Sequence, residues 1–281
     1  MKMMCALSMA LFLTFGGIAS AQARCDFCDR IFIQAARDDN MVNLRRHLVC
    51  SWPNVNAQDD NGKTALMWAV TMQHQCVIDF LLNPPADLRP PNSAAINFNI
   101  SDNAGMTALM HAIRTNNVVI LRSFLREGAG GRINLNHQTR DGTTALHFAV
   151  MHGMDNMVRL LIEQPLIDTN LVNEDRDTAF MLAVRQRNRN MLELFAECPR
   201  FDVTRSLPLG MPPLLEALRL GLSPFAIGDI LMFFPRAMES RDSRGNGPDE
   251  WLIASGRYNA TDRQRIQDMF DDARIRGRIL R

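Results

Sequence analysis

A six-residue pattern returns four times along the chain, as Thr64-Ala65-Leu66-Met67-Trp68-Ala69, Thr107-Ala108-Leu109-Met110-His111-Ala112, Thr144-Ala145-Leu146-His147-Phe148-Ala149 and Thr178-Ala179-Phe180-Met181-Leu182-Ala183. The anchoring threonines stand 43, 37 and 34 residues apart. Self-similarity at such a period limits the fold more than any local signal does. A unit of this length cannot bury its apolar face alone and must stack on its own copies. A second landmark fixes the register, because Asn56, Asn99, Asn136 and Asn170 each lie eight residues before their threonine. Two weaker copies continue the series, Gly210-Met211-Pro212-Pro213-Leu214-Leu215-Glu216-Ala217 and Asp242-Ser243-Arg244-Gly245-Asn246-Gly247-Pro248.

Each position in the pattern has a physical role. Gly62, Gly105, Gly142, Gly210 and Gly245 sit where a β-turn demands positive φ, and the threonine caps the helix that follows. The alanines Ala69, Ala112, Ala149, Ala183 and Ala217 let helices approach closely. A second helix per repeat carries its own apolar stripe, expected in the core: Val77-Ile78-Phe80-Leu81-Leu82, Val118-Val119-Leu121-Phe124-Leu125, Met157-Val158-Leu160-Leu161-Ile162 and Met191-Leu192-Leu194-Phe195. The pattern breaks in three places. Pro84-Pro85 and Pro90-Pro91 stiffen one long connection, Gly128, Gly130 and Gly131 loosen another, and Arg176 replaces the turn glycine of the fourth repeat.

These residues resemble the Thr-Pro-Leu-His-x-Ala signature of ankyrin repeats, with Thr144-Ala145-Leu146-His147-Phe148-Ala149 the nearest match. The resemblance covers most of the chain and implies an all-α ankyrin-repeat solenoid, in which helix-turn-helix pairs are joined by short β-hairpin turns. A capping helix pair over about 26–52, repeats over about 53–236 and a C-terminal repeat with capping helix over about 237–281 are expected. Ile266, Met269, Phe270 and Ala273 form the apolar stripe of that last helix, with Arg263, Arg265, Asp268 and Asp272 outside.

Lys2, an apolar stretch from Ala6 to Ile18 and the small residues Ala19, Ala21 and Ala23 read as a signal peptide over residues 1–23. The apolar core is shorter than the roughly 20 residues of a membrane span, so the expectation is a periplasmic or secreted chain beginning near Gln22 or Arg24, without membrane insertion. In an oxidising compartment Cys25 or Cys28 can meet Cys50, because paired antiparallel helices bring those ends together; Cys76 and Cys198 have no assigned partner. Formal net charge is +1, too little basic excess for a general nucleic-acid binder.

Catalytic signatures are absent from the sequence, which has no GxSxG, HExxH, P-loop or Gly-rich dinucleotide fingerprint. His147 and His152 fall five apart on one helix and so point apart, which argues against a metal pair. No cofactor, metal or catalytic residue is assigned. The expected function is non-enzymatic binding of another protein by a chain that is monomeric when free. Four and seven residues after each threonine, the first helix presents Trp68, His111 and Arg114, Phe148 and Met151, and Arg185. With His152 and the hairpin residues Asp60 and Arg140, these form the candidate partner-binding set on a concave face, rich in residue types enriched at interface centres. Exported members of the family suggest an inhibitor or immunity partner of an envelope enzyme. The alternatives are a secreted effector bound to a host protein and an enzyme with an unrecognised site.

Overall fold

The computed structural model describes residues 19–50, 54–85, 96–128, 131–199, 201–204 and 211–279, with backbone alone for 19–26, 49–50, 127–128 and 278–279. Gly210, most of the Pro-rich connection and residues 1–18 of the expected signal peptide lie outside the described residues; residues 19–23 begin the first helix. The chain divides into two compact units, Met1–His137 and Gln138–Arg281.

The first unit contains α1 (Ala19–Arg37), α2 (Met41–Cys50), α3 (Ala65–Thr71), α4 (Gln75–Leu82), α5 (Ala108–Arg114) and α6 (Val118–Gly128). Its helices pack by column: α1, α3 and α5 form one layer, α4 lies against α6, and each pair packs internally. The second unit contains α7 (Ala145–Met151), α8 (Asp155–Ile162), α9 (Ala179–Gln186), α10 (Arg189–Glu197), α11 (Pro213–Leu220), α12 (Pro224–Phe233), a 3-10 turn (Pro235–Glu239), α13 (Pro248–Ala254) and α14 (Ala260–Ile279). There α7 packs on α9 and α11 on α13, while α8, α10, α12 and α14 run one against the next. β structure among the described residues consists of the single antiparallel bridges Ser101 to Thr107 and Val172 to Thr178, each closing a hairpin.

Threonine starts the helices as its chemistry requires. The hydroxyls of Thr64, Thr107, Thr144 and Thr178 accept the N–H of the residue three further on at 3.2–3.4 Å, and all four threonines are buried. Satisfying a free N–H at a buried helix start is worth about 1 kcal/mol. The five alanines of the close-approach column are fully buried. Between the two helices of every pair the chain turns through a left-handed residue, at Asp39, Gln73, Asn116, Gly153, Arg187, Gly221 and Gly256.

The second-helix stripes are core in three repeats and shifted in one. Ile120, Leu121, Phe124 and Leu125 of α6 are buried, but Val119 is 60% exposed and Val118 half-buried. Val118 and Val119 fall in the first turn of α6, and the apolar face phases from Ile120. In the second unit Phe180 sits at the centre of an aromatic cluster, with ring centroids of Phe195, Phe201 and Phe234 at 5.5, 4.8 and 5.3 Å. At the C-terminal end Ile266, Phe270 and Ala273 of α14 are fully buried; Met269 is half-buried, its sulfur packed beside Gly228. At the N-terminal end Phe32, Ala36 and Leu44 are buried in the first helix pair. Cys28 is a free, half-buried thiol, and the side chains of Cys25 and Cys50 lie outside the described residues. No described helix is long and apolar enough to cross a membrane.

Candidate partner-binding surface

One clamp builds the hairpin tips. Asp59 Oδ1 accepts the backbone N–H groups of Asn61 and Lys63 at 2.9 and 2.8 Å, and Gly62 N–H donates to the Asp59 carbonyl at 2.8 Å. Asp102 repeats this with Ala104 and Met106, and Asp242 with Arg244 and Asn246. Asn173 does so through its amide oxygen, which accepts Asp177 N–H at 2.9 Å. A short side-chain acceptor next to its own backbone is what fixes such a turn. At Gly62 the glycine is required twice over: φ is +74°, and a Cβ would stand 2.7 Å from the backbone nitrogen of Asn103. Arg176 adopts the same turn at φ +63°, so the fourth repeat keeps the hairpin and carries the strain.

The other carboxylate oxygen of each aspartate clamp reaches the residue nine positions on. Trp68 Nε1–H donates to Asp59 Oδ2 at 2.7 Å, and Trp251 Nε1–H donates to Asp242 Oδ2 at 3.1 Å. His111 Nε2 stands 2.8 Å from Asp102 Oδ2. The pairing varies as a unit, because the third repeat has Thr139 and Phe148 in these columns and the fourth has Asn173 and Leu182. Where the acid is lost, the ring donor is lost too. These struts tie the hairpin to the first helix, a relation the sequence displays at fixed spacing but which single-column reading passes over. With donors from the side chain and backbone of Asn246, from Arg244 and from Trp251 outweighing desolvation, the Asp242 carboxyl is held at about 2.

Neighbouring repeats are tied at the same level. Asn103 donates its backbone N–H to the Asn61 carbonyl at 3.1 Å and its amide to the Asp60 carbonyl at 3.0 Å. The asparagine landmark also links repeats, since Asn56 Oδ1 accepts Asn97 N–H at 2.8 Å and Asn99 Oδ1 accepts Asn134 N–H at 2.7 Å. In the second unit Glu174 N–H donates to the Asp141 carbonyl at 2.9 Å.

The residues singled out from sequence divide on this frame. In the first unit Asp60 and Arg114 are exposed. Trp68 is half-buried, with the Arg37 guanidinium and Lys63 ammonium over its ring at 4.5 and 4.4 Å; it lines a groove of about 640 Å³ with Asp29, Arg37, Asp60 and Asn61. His111 is 1% exposed and bonded at both ring nitrogens, which removes it from the solvent-facing set. In the second unit Arg140, Met151, His152 and Arg185 are exposed, and Phe148 is half-buried with its ring 4.4 Å from that of His152. Arg185 Nε–H donates to Asp177 Oδ1 at 2.9 Å; burial pushes the Asp177 carboxyl up, against the pull of that guanidinium.

Arg219, which the sequence pattern alone does not single out, belongs with this group. It stands seven residues after the helix start at Pro212, the column of Arg114 and Arg185. Its Nε–H and Nη2–H donate to the two oxygens of buried Glu216 at 2.7 and 2.5 Å. Arg114, Arg185 and Arg219 are thus each held by an acceptor of their own repeat while remaining accessible.

His147 is bonded to backbone at both ring nitrogens. Its Nδ1 accepts from Thr144 N–H at 3.3 Å, and its Nε2–H donates to the Asp177 carbonyl at 3.0 Å. Burial lowers its pKa. His152 lies apart on the surface, and no group of three or more His, Cys, Asp or Glu side chains among the described residues is placed to hold a metal ion.

A family model described as ankyrin repeats (3 copies) matches residues 32–137 and 120–206. Among curated proteins, the chain is 34% identical over 88 residues to the ANK repeat-containing protein nipk-1 of Caenorhabditis elegans, covering 31% of this chain and 14% of that protein. It is 25% identical over 171 residues to the nuclear factor NF-kappa-B p105 subunit of Gallus gallus, 59% of this chain and 16% of that one. The match therefore spans less than a fifth of either relative. Among solved structures, the ankyrin repeat domain of Bcl-3, described as a unique member of the IkappaB protein family, superposes with a TM-score of 0.64 at 19% identity, covering 85% of this chain and 97% of that one.

Proposed function

The chain belongs to the ankyrin-repeat family, and from that premise we propose that it is a non-catalytic scaffold holding a protein partner on the surface built by its hairpin tips and first helices. Its place of work in this reading is the periplasm or the outside of the cell, reached through the signal peptide of residues 1–23, and its role is to inhibit or protect against an envelope enzyme. The observation that carries the binding surface is the column of tethered arginines. Arg185 and Arg219 are fixed by the buried carboxylates Asp177 and Glu216, so less side-chain freedom is lost when a partner docks. Beside them Met151, 44% exposed, and the Phe148 edge supply apolar contact of the type that anchors interfaces.

The test is affinity capture from an envelope extract with the tagged chain lacking residues 1–23, compared with a Met151→Glu/Arg185→Glu variant. One envelope enzyme retained by the native surface, lost by the variant and altered in activity on binding is the expected result. Equal retention by both proteins overturns the assigned surface, and absence of any specific envelope partner overturns the envelope role and directs the search to host proteins.

A further inference from the structure

Arg114 is docked on a histidine that the fold has fixed in one tautomer. A guanidinium carries donors only, so the 3.0 Å contact from Arg114 Nη2 makes His111 Nδ1 an acceptor without a proton. The ring hydrogen is therefore on Nε2, where it donates to Asp102 Oδ2 at 2.8 Å. Asp102 is itself kept ionised, since the backbone N–H groups of Met106 and Ala104 donate to its other oxygen at 2.9 Å. The relay runs from the hairpin tip, through a ring that is 1% exposed, to an arginine that reaches solvent.

A second proton on this ring has one place to go. It binds Nδ1 and turns the acceptor under Arg114 into a donor facing a donor, with a positive ring against a positive guanidinium. The bond to Asp102 survives and becomes an ion pair. Because Arg114 is exposed while Asp102 and the ring are buried, the arginine is the member free to leave. The charged groups that bear on the ring are Asp102 from its hairpin, Arg114 from its own helix and Lys63 from the preceding hairpin, the two cations opposing protonation and the acid favouring it.

We propose that His111 is a proton-operated latch for Arg114: unprotonated, it docks the guanidinium on the first-helix face, and on acidification it releases it without unfolding the hairpin. Burial first, then the cations, holds the His111 pKa below its ordinary value, which places the change on the acid side of neutrality. The consequence for partner contact rests on the protein-binding reading above: an interface that uses docked Arg114 weakens as the pH falls.

The experiment uses the full chain lacking the signal peptide and needs no partner, so it stands or falls separately from that reading. Histidine and arginine side-chain NMR resonances are followed between neutral and acid pH in the native protein and in Arg114→Ala and Asp102→Asn. Asn173 already serves as the clamp of another repeat, so Asp102→Asn leaves the turn its acceptor. The expected result is an Nε2–H tautomer at neutral pH and Arg114 resonances that change in step with His111. Arg114→Ala raises the His111 midpoint, and Asp102→Asn lowers it, each by about half a pH unit or more. A midpoint that stays put in Arg114→Ala, or Arg114 resonances indifferent to His111 protonation, overturns the latch. Circular dichroism of each sample shows that the shifts are read on folded protein.

Discussion

Replacing Trp68 by phenylalanine removes the donor of the strut between a hairpin and its helix. An aromatic ring remains to face the Arg37 and Lys63 cations, while the N–H donated to Asp59 Oδ2 at 2.7 Å is lost together with the five-membered part of the indole. A hydrogen bond to a charged acceptor contributes about 1.5–3 kcal/mol when buried. Asp59 and Trp68 are only part-buried, so water takes over some of the lost donor and the hydrogen bond's share of the cost falls to about 1–1.5 kcal/mol. For a unit of this size that is roughly 3–5 °C in melting temperature. Asp59→Asn removes the charge and keeps an acceptor for the turn, at a similar cost.

The decisive quantity is the coupling between the two changes. If the strut is real, Trp68→Phe in an Asp59→Asn background costs less than in the native chain, and the double variant falls short of additivity by about 0.5–1.5 kcal/mol. Urea titrations followed by far-ultraviolet circular dichroism give the four stabilities. A double variant whose loss equals the sum of the single losses would mean that ring and carboxylate act independently, and the paired columns would then be coincidence. Trp68→Ala does not serve here, because it also removes burial and both cation contacts.

Arg176→Gly should stabilise the second unit by about 1 kcal/mol in a urea titration, because the left-handed φ of +63° strains any residue with a Cβ; a loss of stability would show that the arginine's side chain matters more than its backbone. His111, His147 and His47 all have pKa values lowered, in each case chiefly by burial. The unfolded chain therefore takes up more protons below about pH 6.5, and stability present above that value is lost as the pH falls, by up to about 1.4 kcal/mol per pH unit for each group. A melting temperature flat between pH 7 and 5 would refute this. Phe180→Ala, at the centre of the four-ring cluster, should cost about 3–5 kcal/mol, against a shift within experimental error if the cluster repacks.

What is legible in the sequence follows from how each residue's role is shared among repeats. The threonine caps, the alanine column and the asparagine landmark do the same thing several times, so alignment of the chain with itself exposes them. The α6 stripe is misphased when read from sequence because Val118 and Val119 are apolar by type but begin the helix on its solvent side, and apolarity alone does not fix helical phase over one turn. The disulfide expectation turns on Cys25 and Cys50, whose side chains lie outside the described residues.

The candidate surface is harder to read because one column carries two kinds of role. Trp68, Phe148 and Leu182 stand at the same place in their repeats, as does His111, and by residue type the first two look like equivalent interface anchors. They differ through a residue nine positions away. Asp59 takes up the Trp68 N–H and Asp102 takes up the His111 ring, so both side chains are committed to holding a hairpin. In the third repeat Thr139 offers no carboxylate, and its hydroxyl bonds within the hairpin, to the Thr143 carbonyl and the Asp141 carboxylate. Phe148 has no strut to maintain, and its ring is in contact with exposed His152 one turn on, next to exposed Met151. Loss of the acid at Thr139 and of the donor at Phe148 thus free one first helix from the structural duty carried by α3, α5 and α13. Within the column, Phe148 is therefore the aromatic residue left without a hairpin bond, while Trp68 holds its own hairpin and His111 holds both its hairpin and Arg114.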